Sequence, residues 1–328
     1  MVVDLEVDNS TVATVQVNLA AIDAALTPPI HNNQPLSEAG CPWMANDWSC
    51  AFDAVFMALF SIYRRSSLLW QECWRAESTI NEFLVEQFDR IFEAFASDLD
   101  FFTLSARFSE CRDNFRDWMF AVNHHKFPRR GKQLAGVSDI LEYFSDQHNG
   151  SADLERTRLC SNPACPPTIT TRNINHICHQ SVIEKYWHLR DMVSIQSVVT
   201  RELSSVLDQP LTSKCTRCPG YHTQSTWSMA ALTWVWFEIF NNTHILPSLA
   251  LTMDRFGEPR TFALTAVVYL GGAHFTARWR DHSGIWWKHD GIERHGAPIV
   301  DTVNSESDLR QCDGRRMSHL IYSFEHDV

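Results

Sequence analysis

The order of hydrophobic patterns along the chain constrains its fold more than any other feature of the sequence. From Cys41 to about Gln147 the apolar residues recur at helical spacing, as in SCAFDAVFMALFSIYRR. After residue 245 the pattern changes to short β-branched or aromatic runs separated by turn residues, such as TFALTAVVYL, HFTARWR and HLIYSFE. A block of helices followed by a block of antiparallel strands predicts an α+β fold.

Changes in composition suggest how the chain is divided. Residues 1–40 end in a stretch rich in Pro and Asn without helical or strand period, so we expect a poorly ordered N-terminal extension. The remainder, 41–328, is predicted to be one domain. Its parts are a helical segment at 41–149, an insertion with paired cysteines at 150–225 and a β-rich segment at 226–328.

Charge and hydropathy exclude some classes of function. The 328 residues include 28 basic and 39 acidic side chains, a net charge of −11. This balance argues against nucleic acid as a main partner, because phosphate binding needs clustered Lys and Arg. The first residues lack a signal peptide, and the most apolar early stretch, 12–26, is interrupted by polar residues. We therefore expect an intracellular protein, cytoplasmic or nuclear, with no membrane association and with reduced cysteines.

Cys50 is the first candidate for a chemical role. It lies at the start of an amphipathic helix, where Ser49 or Asp47 could cap the first turn. The unpaired N–H groups and the positive end of the helix dipole favour a thiolate at that place. The alternative is an ordinary buried cysteine.

A thiol nucleophile needs a base, and the base needs an orienting group. His274 follows a Gly-Gly-Ala turn and opens a strand, and Asp290 lies in the next apparent strand. A hairpin between the two strands would bring imidazole and carboxylate together. Asp281 falls in the predicted turn of this hairpin, so we expect its side chain to face water. Alternatively, His274 holds a surface turn and Asp290 is a turn former before Gly291.

Five segments, in order, resemble the ubiquitin-specific proteases over residues 41–328. NDWSCAFDAVFMALF resembles the cysteine box, FALTAVVYLGGAHFTARWR the histidine box, and WWKHDG the strand with the orienting carboxylate. ILPSLALTMDRF and SHLIYSFE resemble the strands that precede and follow these boxes. The resemblance implies a papain-like cysteine protease, in which 41–149 is a helical thumb, 150–225 a zinc-ribbon fingers insertion and 226–328 an antiparallel β palm.

The activity implied by the resemblance is thiol-dependent hydrolysis of (iso)peptide bonds after the C-terminal Gly of ubiquitin or a ubiquitin-like modifier. Cys50 would attack the carbonyl, His274 would carry the proton and Asp290 would hold the His274 tautomer. Asn46 is the natural oxyanion donor, although the family's Asn or Gln lies slightly farther before the cysteine.

Alternatives follow from the altered cysteine box, because Ala45-Asn46-Asp47 replaces the family's Asn-x-Gly. One alternative is a catalytically weak or inactive pseudoprotease that binds a ubiquitin-like modifier as an adaptor. Another is a SUMO-type modifier protease on the same fold.

Two close cysteine pairs in the insertion suit a structural zinc site. The pairs are Cys160-x4-Cys165 and Cys215-x2-Cys218, and four thiolates match the tetrahedral geometry of zinc. The resemblance implies the same site, with a spacing of two residues in both pairs. Other possible ligands are His176, Cys178, His179 and His222. Free cysteines in a degenerated ribbon are the alternative to a metal site.

Overall fold

The structure is a computed structural model that describes residues 39–97, 99–129, 134–147, 153–173, 192–207, 214–229, 233–239, 244–253 and 260–324. The extension predicted at 1–40 lies almost entirely outside the described residues. The same holds for the alternative zinc ligands His176, Cys178 and His179.

Helices dominate the first part of the described chain. They are α1 (Cys50–Arg65), α2 (Leu68–Glu77), α3 (Thr79–Ala96), α4 (Phe101–Val122) and α5 (Val137–Gln147). Side-chain caps mark where three of them begin. Ser67 accepts a hydrogen bond from the Trp70 N–H, Ser78 caps α3 in the same way, and Asp100 caps α4.

Helix α1 is buried almost throughout and forms the centre of the helical part. Phe52, Phe56 and Phe60 recur every four residues and therefore share one face of the helix. Their rings meet Phe115 of α4 and Phe88 of α3 at centroid distances of 5.2–5.7 Å. Each fully buried phenylalanine contributes about 1.5–3 kcal/mol through the hydrophobic effect. This packing fixes α1, and with it the position of Cys50.

A small antiparallel sheet follows the helices. It contains β1 (Asp153–Cys160), β2 (Thr168–Asn173) and β4 (His222–Met229) in the order β2-β1-β4. Between β2 and β4 lie the short strand β3 (Val193–Ser194) and α6 (Ile195–Leu207); β3 pairs in parallel with β6 (Ile245–Leu246).

The main sheet has eight strands and is antiparallel. Its order is β11-β10-β9-β8-β13-β12, with β5 paired to β13 and β7 paired to β8. The strands are β5 (Trp234–Glu238), β7 (Ala250–Met253), β8 (Arg260–Gly271), β9 (His274–Arg280), β10 (Trp286–His289), β11 (Ile299–Asp301), β12 (Gln311–Cys312) and β13 (Arg315–Phe324). Short 3₁₀ helices at Glu293–Gly296 and Glu306–Arg310 interrupt the connections.

The main sheet is covered on both faces. Residues from α1 and α3–α5 pack with Ala266, Val268 and Trp279 in one buried cluster, and α6 packs with Val267 and other residues of the opposite face in a second. From 266 to 269 the residues of β8 alternate between the two clusters, as in a strand between two layers. The predicted α+β fold with an antiparallel sheet is confirmed.

No helix in the part of the chain that the structure describes is both long and apolar enough to cross a membrane.

Candidate active site

A tight hairpin delivers His274 to the site. The two residues between β8 and β9, Gly272 and Ala273, both have left-handed backbones, with φ of 61° and 56°. Positive φ at both central residues defines the type I′ turn, whose twist matches that of the flanking strands. Gly271 pairs with His274 across this turn. His274 therefore begins β9 and is only 7% exposed.

The packing of α1 on β9 brings Cys50 to His274. Cys50 is the first residue of α1, is 2% exposed, and its thiol is close enough to His274 to raise the pKa of the imidazole. His274 Nε2 lies 2.8 Å from Asp290 Oδ1, which leaves Nδ1 to face the thiol. Burial lowers the pKa of His274, but the hydrogen bonds and charges of Asp290 and Cys50 outweigh it and raise the pKa to about 9. The imidazole can therefore hold a proton taken from the thiol.

Asp290 is itself fixed by two hydrogen-bond donors and one cation. Oδ1 accepts from His274 Nε2 and from the Ile292 N–H at 3.0 Å, and Oδ2 forms an ion pair with Arg315 Nη2 at 2.9 Å. Burial would raise the pKa of Asp290, but these donors and the charges of His274 and Arg315 hold it below its usual value. The carboxylate is therefore the ionised partner that an imidazolium requires. Sequence analysis missed Arg315, which belongs to none of the motifs.

The expectation that Asp281 faces water holds only in part, because the side chain is half-exposed and its carboxylate also accepts hydrogen bonds. Asp281 lies in the turn between β9 and β10, and its Oδ1 accepts the N–H groups of Ser283 and Ile285 at 2.9 Å. Its Oδ2 accepts the Trp287 indole N–H, also at 2.9 Å. Trp287, on the strand after the turn, lies close enough for its indole N–H to take the place of a water molecule at Oδ2. Asp281 therefore stabilises the hairpin, while Asp290 contacts the histidine.

Residues 39–43, here called the strap, close one side of the site. The Trp43 N–H donates to the Gly291 carbonyl at 2.9 Å, and the Trp43 ring meets His274 edge-on at 5.8 Å between centroids. Burial lowers the pKa of His289 to about 4, so its neutral ring can donate from Nε2 to the Cys41 carbonyl at 3.0 Å. A Cβ at Gly291 would lie 2.9 Å from the Trp43 nitrogen, so glycine permits this approach. Trp43 is a second contact of His274 that the motifs did not reveal.

The loop before the nucleophile does not use Ser49 or Asp47 as a side-chain cap. Ser49 occupies the N-cap position of α1, but no side-chain cap bond forms there. Its hydroxyl instead accepts the Met44 N–H at 3.0 Å and donates to Asp53 Oδ2 at 2.8 Å. A buried carboxylate one turn into α1 attracts the hydroxyl more strongly than a helix N–H does. Asn46 lies in this loop with an exposed side chain.

Two buried arginines of α4 hold the same loop. Arg112 forms an ion pair with Asp53 and donates to the Pro42 carbonyl at 3.3 Å. One turn later, Arg116 donates to the Asp47 carbonyl at 2.5 Å. The loop thus owes its shape to side chains far away in the sequence.

The four predicted cysteine ligands converge at one end of the small sheet. Their sulfur atoms all lie within 4.8 Å of one another, with 3.3 Å between Cys160 and Cys218 and 3.7 Å between Cys165 and Cys215. A tetrahedron of thiolates about 2.3 Å from zinc would place the sulfurs about 3.8 Å apart. The arrangement therefore fits a four-coordinate metal ion. His222 is not part of this group.

Backbone groups around the cysteines support the same fit. The N–H groups of Asn162, Arg217 and Gly220 each lie 3.4 Å from a cysteine sulfur, where they would stabilise thiolate charge. A Cβ at position 220 would lie only 2.8 Å from Cys160 Sγ, so glycine is needed for the sulfurs to converge.

Comparisons with known proteins identify the fold. No protein-family model and no curated protein sequence matches the chain. Among solved structures the chain is similar to a SAGA DUB module of Ubp8, Sgf11, Sus1 and Sgf73 bound to monoubiquitin. The sequence identity is 11% and the TM-score 0.50, and the match covers 94% of this chain and 74% of that chain. It also matches the apo Pan2 pseudoubiquitin hydrolase–RNA exonuclease module of Saccharomyces cerevisiae at 9% identity, over 90% of this chain and 57% of that one, with a TM-score of 0.47. The chain has the fold of the ubiquitin-specific proteases, as the five sequence segments predict.

Proposed function

We propose that this protein is a cysteine-type deubiquitinase, which hydrolyses (iso)peptide bonds after the C-terminal Gly of ubiquitin or a ubiquitin-like modifier. The observation that supports it is that His274 interacts electrostatically with Cys50 and lies 2.8 Å from Asp290. The fold adds support, because a solved structure of similar fold is described as bound to monoubiquitin.

The geometry supports a two-step mechanism. His274 takes the proton of Cys50, and the negative charge of Asp290 stabilises the resulting imidazolium. The thiolate attacks the carbonyl carbon after the modifier's last glycine, and His274 then protonates the leaving amine. Water, activated by His274, next hydrolyses the thioester and frees the thiol of Cys50.

Asn46 and the Cys50 backbone N–H are the proposed donors to the oxyanion. Donors directed at the developing charge stabilise the transition state more than the ground state. No side-chain hydrogen bond caps the N-terminus of α1. The positive end of its helix dipole therefore also stabilises the negative charge of the oxyanion. The exposed position of Asn46 leaves its amide accessible to a substrate carbonyl.

We also propose that Cys160, Cys165, Cys215 and Cys218 bind one structural zinc ion. Four thiolates complete the tetrahedron and leave no open position for water, so the metal would stabilise the insertion and take no part in hydrolysis. Metal analysis of protein purified without added zinc should find close to one zinc per chain, whereas a ratio near zero would refute the site.

Modifier probes with electrophilic C-termini test the proposed function. We expect ubiquitin, SUMO or another modifier probe to form one adduct, detected by intact mass and located at Cys50 by peptide mapping. Cys50→Ala should abolish the adduct. Cys73→Ala is the matched control, because Cys73 is an exposed thiol outside the site.

The pattern of labelling separates the alternatives. Labelling at Cys73, or labelling that survives Cys50→Ala, would refute the assignment of the nucleophile. Binding of a modifier without any adduct would support the adaptor. A reaction with the SUMO probe alone would identify a SUMO-type protease.

A further inference from the structure

We infer that Arg315 is a positioning residue of the active site, which fixes Asp290 and through it the ring of His274. This inference rests on the proposed function of Cys50, His274 and Asp290. None of the sequence motifs includes Arg315, and its role follows from the tertiary structure alone.

The contacts of Asp290 show what Arg315 contributes. His274 Nε2 and the Ile292 N–H both bind Oδ1, and Arg315 Nη2 binds Oδ2 at 2.9 Å. The terminal torsion of an aspartate has broad minima, so donors on one oxygen alone leave the carboxylate free to rock. A cation paired with the second oxygen restricts this rotation and keeps Oδ1 directed at the imidazole.

The main sheet places Arg315 where it can reach Asp290. Arg315 begins β13 directly after a tight turn at Asp313 and Gly314, with φ of 48° and 76°. Strand β13 pairs with β8, which puts Arg315 next to Gly271, the partner of His274 across the hairpin. A Cβ at Gly271 would lie only 3.0 Å from Arg315 Cγ, so the missing side chain makes room for the arginine.

The degree of burial makes this ion pair functionally relevant. The Asp290 side chain is 7% exposed and the Arg315 side chain 20% exposed, so the ion pair is shielded from most of the solvent. The other charged groups that line the space beside Asp290 are Lys288, Glu293, Arg294 and Asp313. Lys288 is bound to Asp313 at 2.9 Å. Among the described residues, the cations that form an ion pair with Asp290 are Arg315 and, when protonated, His274.

Substitution of Arg315 tests the inference. Arg315→Met removes the cation but retains an unbranched side chain, and we expect kcat for a modifier C-terminal amide to fall roughly 10–100-fold, as for a small misplacement of a catalytic group. KM should change less than about twofold, because no substrate contact is lost. Arg315→Lys should recover part of the rate. Arg316→Met is the matched control, since Arg316 is the next residue of β13 and is exposed.

A double-mutant cycle distinguishes positioning from other effects. In an Asp290→Asn background, Arg315→Met should lower kcat by less than about twofold, because the carboxylate it positions is already lost. Multiplicative losses would overturn the inference, since Arg315 would then act independently of Asp290. Equal rates for wild type, Arg315→Met and Arg316→Met would overturn it as well.

Alkylation of Cys50 by iodoacetamide provides a readout that needs no modifier. We expect Arg315→Met to slow this alkylation and Arg316→Met to leave it unchanged, with thermal unfolding confirming that both variants are folded. If Cys50 is alkylated in this Arg315-dependent way but reacts with no modifier probe, the proposed function fails and the inference stands. If a modifier is cleaved at an unchanged rate by Arg315→Met, the inference fails and the proposed function stands.

Discussion

Loss of the buried cation at Arg112 should destabilise the protein far more than loss of a surface cation on the same helix. The side chains of Arg112 and Asp53 are 0% and 3% exposed and form an ion pair between α4 and α1. In Arg112→Met the Asp53 carboxylate stays buried, and the Ser49 hydroxyl still donates a hydrogen bond to it. Removing one partner of a buried pair costs about 3–5 kcal/mol, because the other charge is left uncompensated.

Arg107 provides the matched control one turn earlier in α4. It pairs with Glu110 at 2.7 Å, but these side chains are 36% and 47% exposed. Exposed pairs contribute about 0–1 kcal/mol, because water and salt screen the charges. Arg107→Met should therefore cost at least about 2 kcal/mol less than Arg112→Met.

Urea unfolding followed by tryptophan fluorescence measures the difference. With a slope of about 3 kcal/mol per molar urea, the midpoint of Arg112→Met should fall by about 1 M or more, and that of Arg107→Met by less than about 0.3 M. Equal shifts in the two variants would refute the argument that burial determines the cost. The double variant Asp53→Leu/Arg112→Met removes both charges and should recover much of the loss; no recovery would show that packing, not charge, is responsible.

Three further predictions concern the hairpin, the histidine and the cysteine cluster. Ala273→Gly should raise the free energy of unfolding by about 1 kcal/mol, because a left-handed alanine is strained, and a loss of stability would contradict the turn geometry. The folded pKa of His274, raised to about 9, implies a stabilising contribution that is complete below its ordinary 6.5 and is lost as the pH rises through 9. His274→Gln should remove this decline in urea midpoints between pH 6.5 and 9, and an unchanged decline would assign it to other groups. Cys218→Ser, or chelation, should lower the thermal midpoint and the bound zinc while Cys50 still reacts with iodoacetamide; prompt loss of that reaction would mean that the metal shapes the active site.

Local patterns in the sequence were sufficient for the fold class and for the residues that meet in the candidate site. Helical and strand periods predicted the two blocks, because periodicity shows which face of an element is buried. The strand pattern predicted the hairpin between β9 and β10, and Asp290, which comes directly after β10, lies beside His274 as expected. Paired cysteines predicted the cluster, since metal ligands recur at short spacings.

Contacts between distant segments required the tertiary structure. Periodicity does not say which elements become neighbours, so the pairing of β13 with β8 that brings Arg315 to Asp290 could not be predicted. The same reason applies to Asp281, which is half-exposed but whose carboxylate also accepts the N–H of the Trp287 indole. The packing of α1 against the main sheet thus decided which polar groups meet. Buried charges and N–H groups need hydrogen-bond partners, and the tertiary structure determines which residues lie within reach.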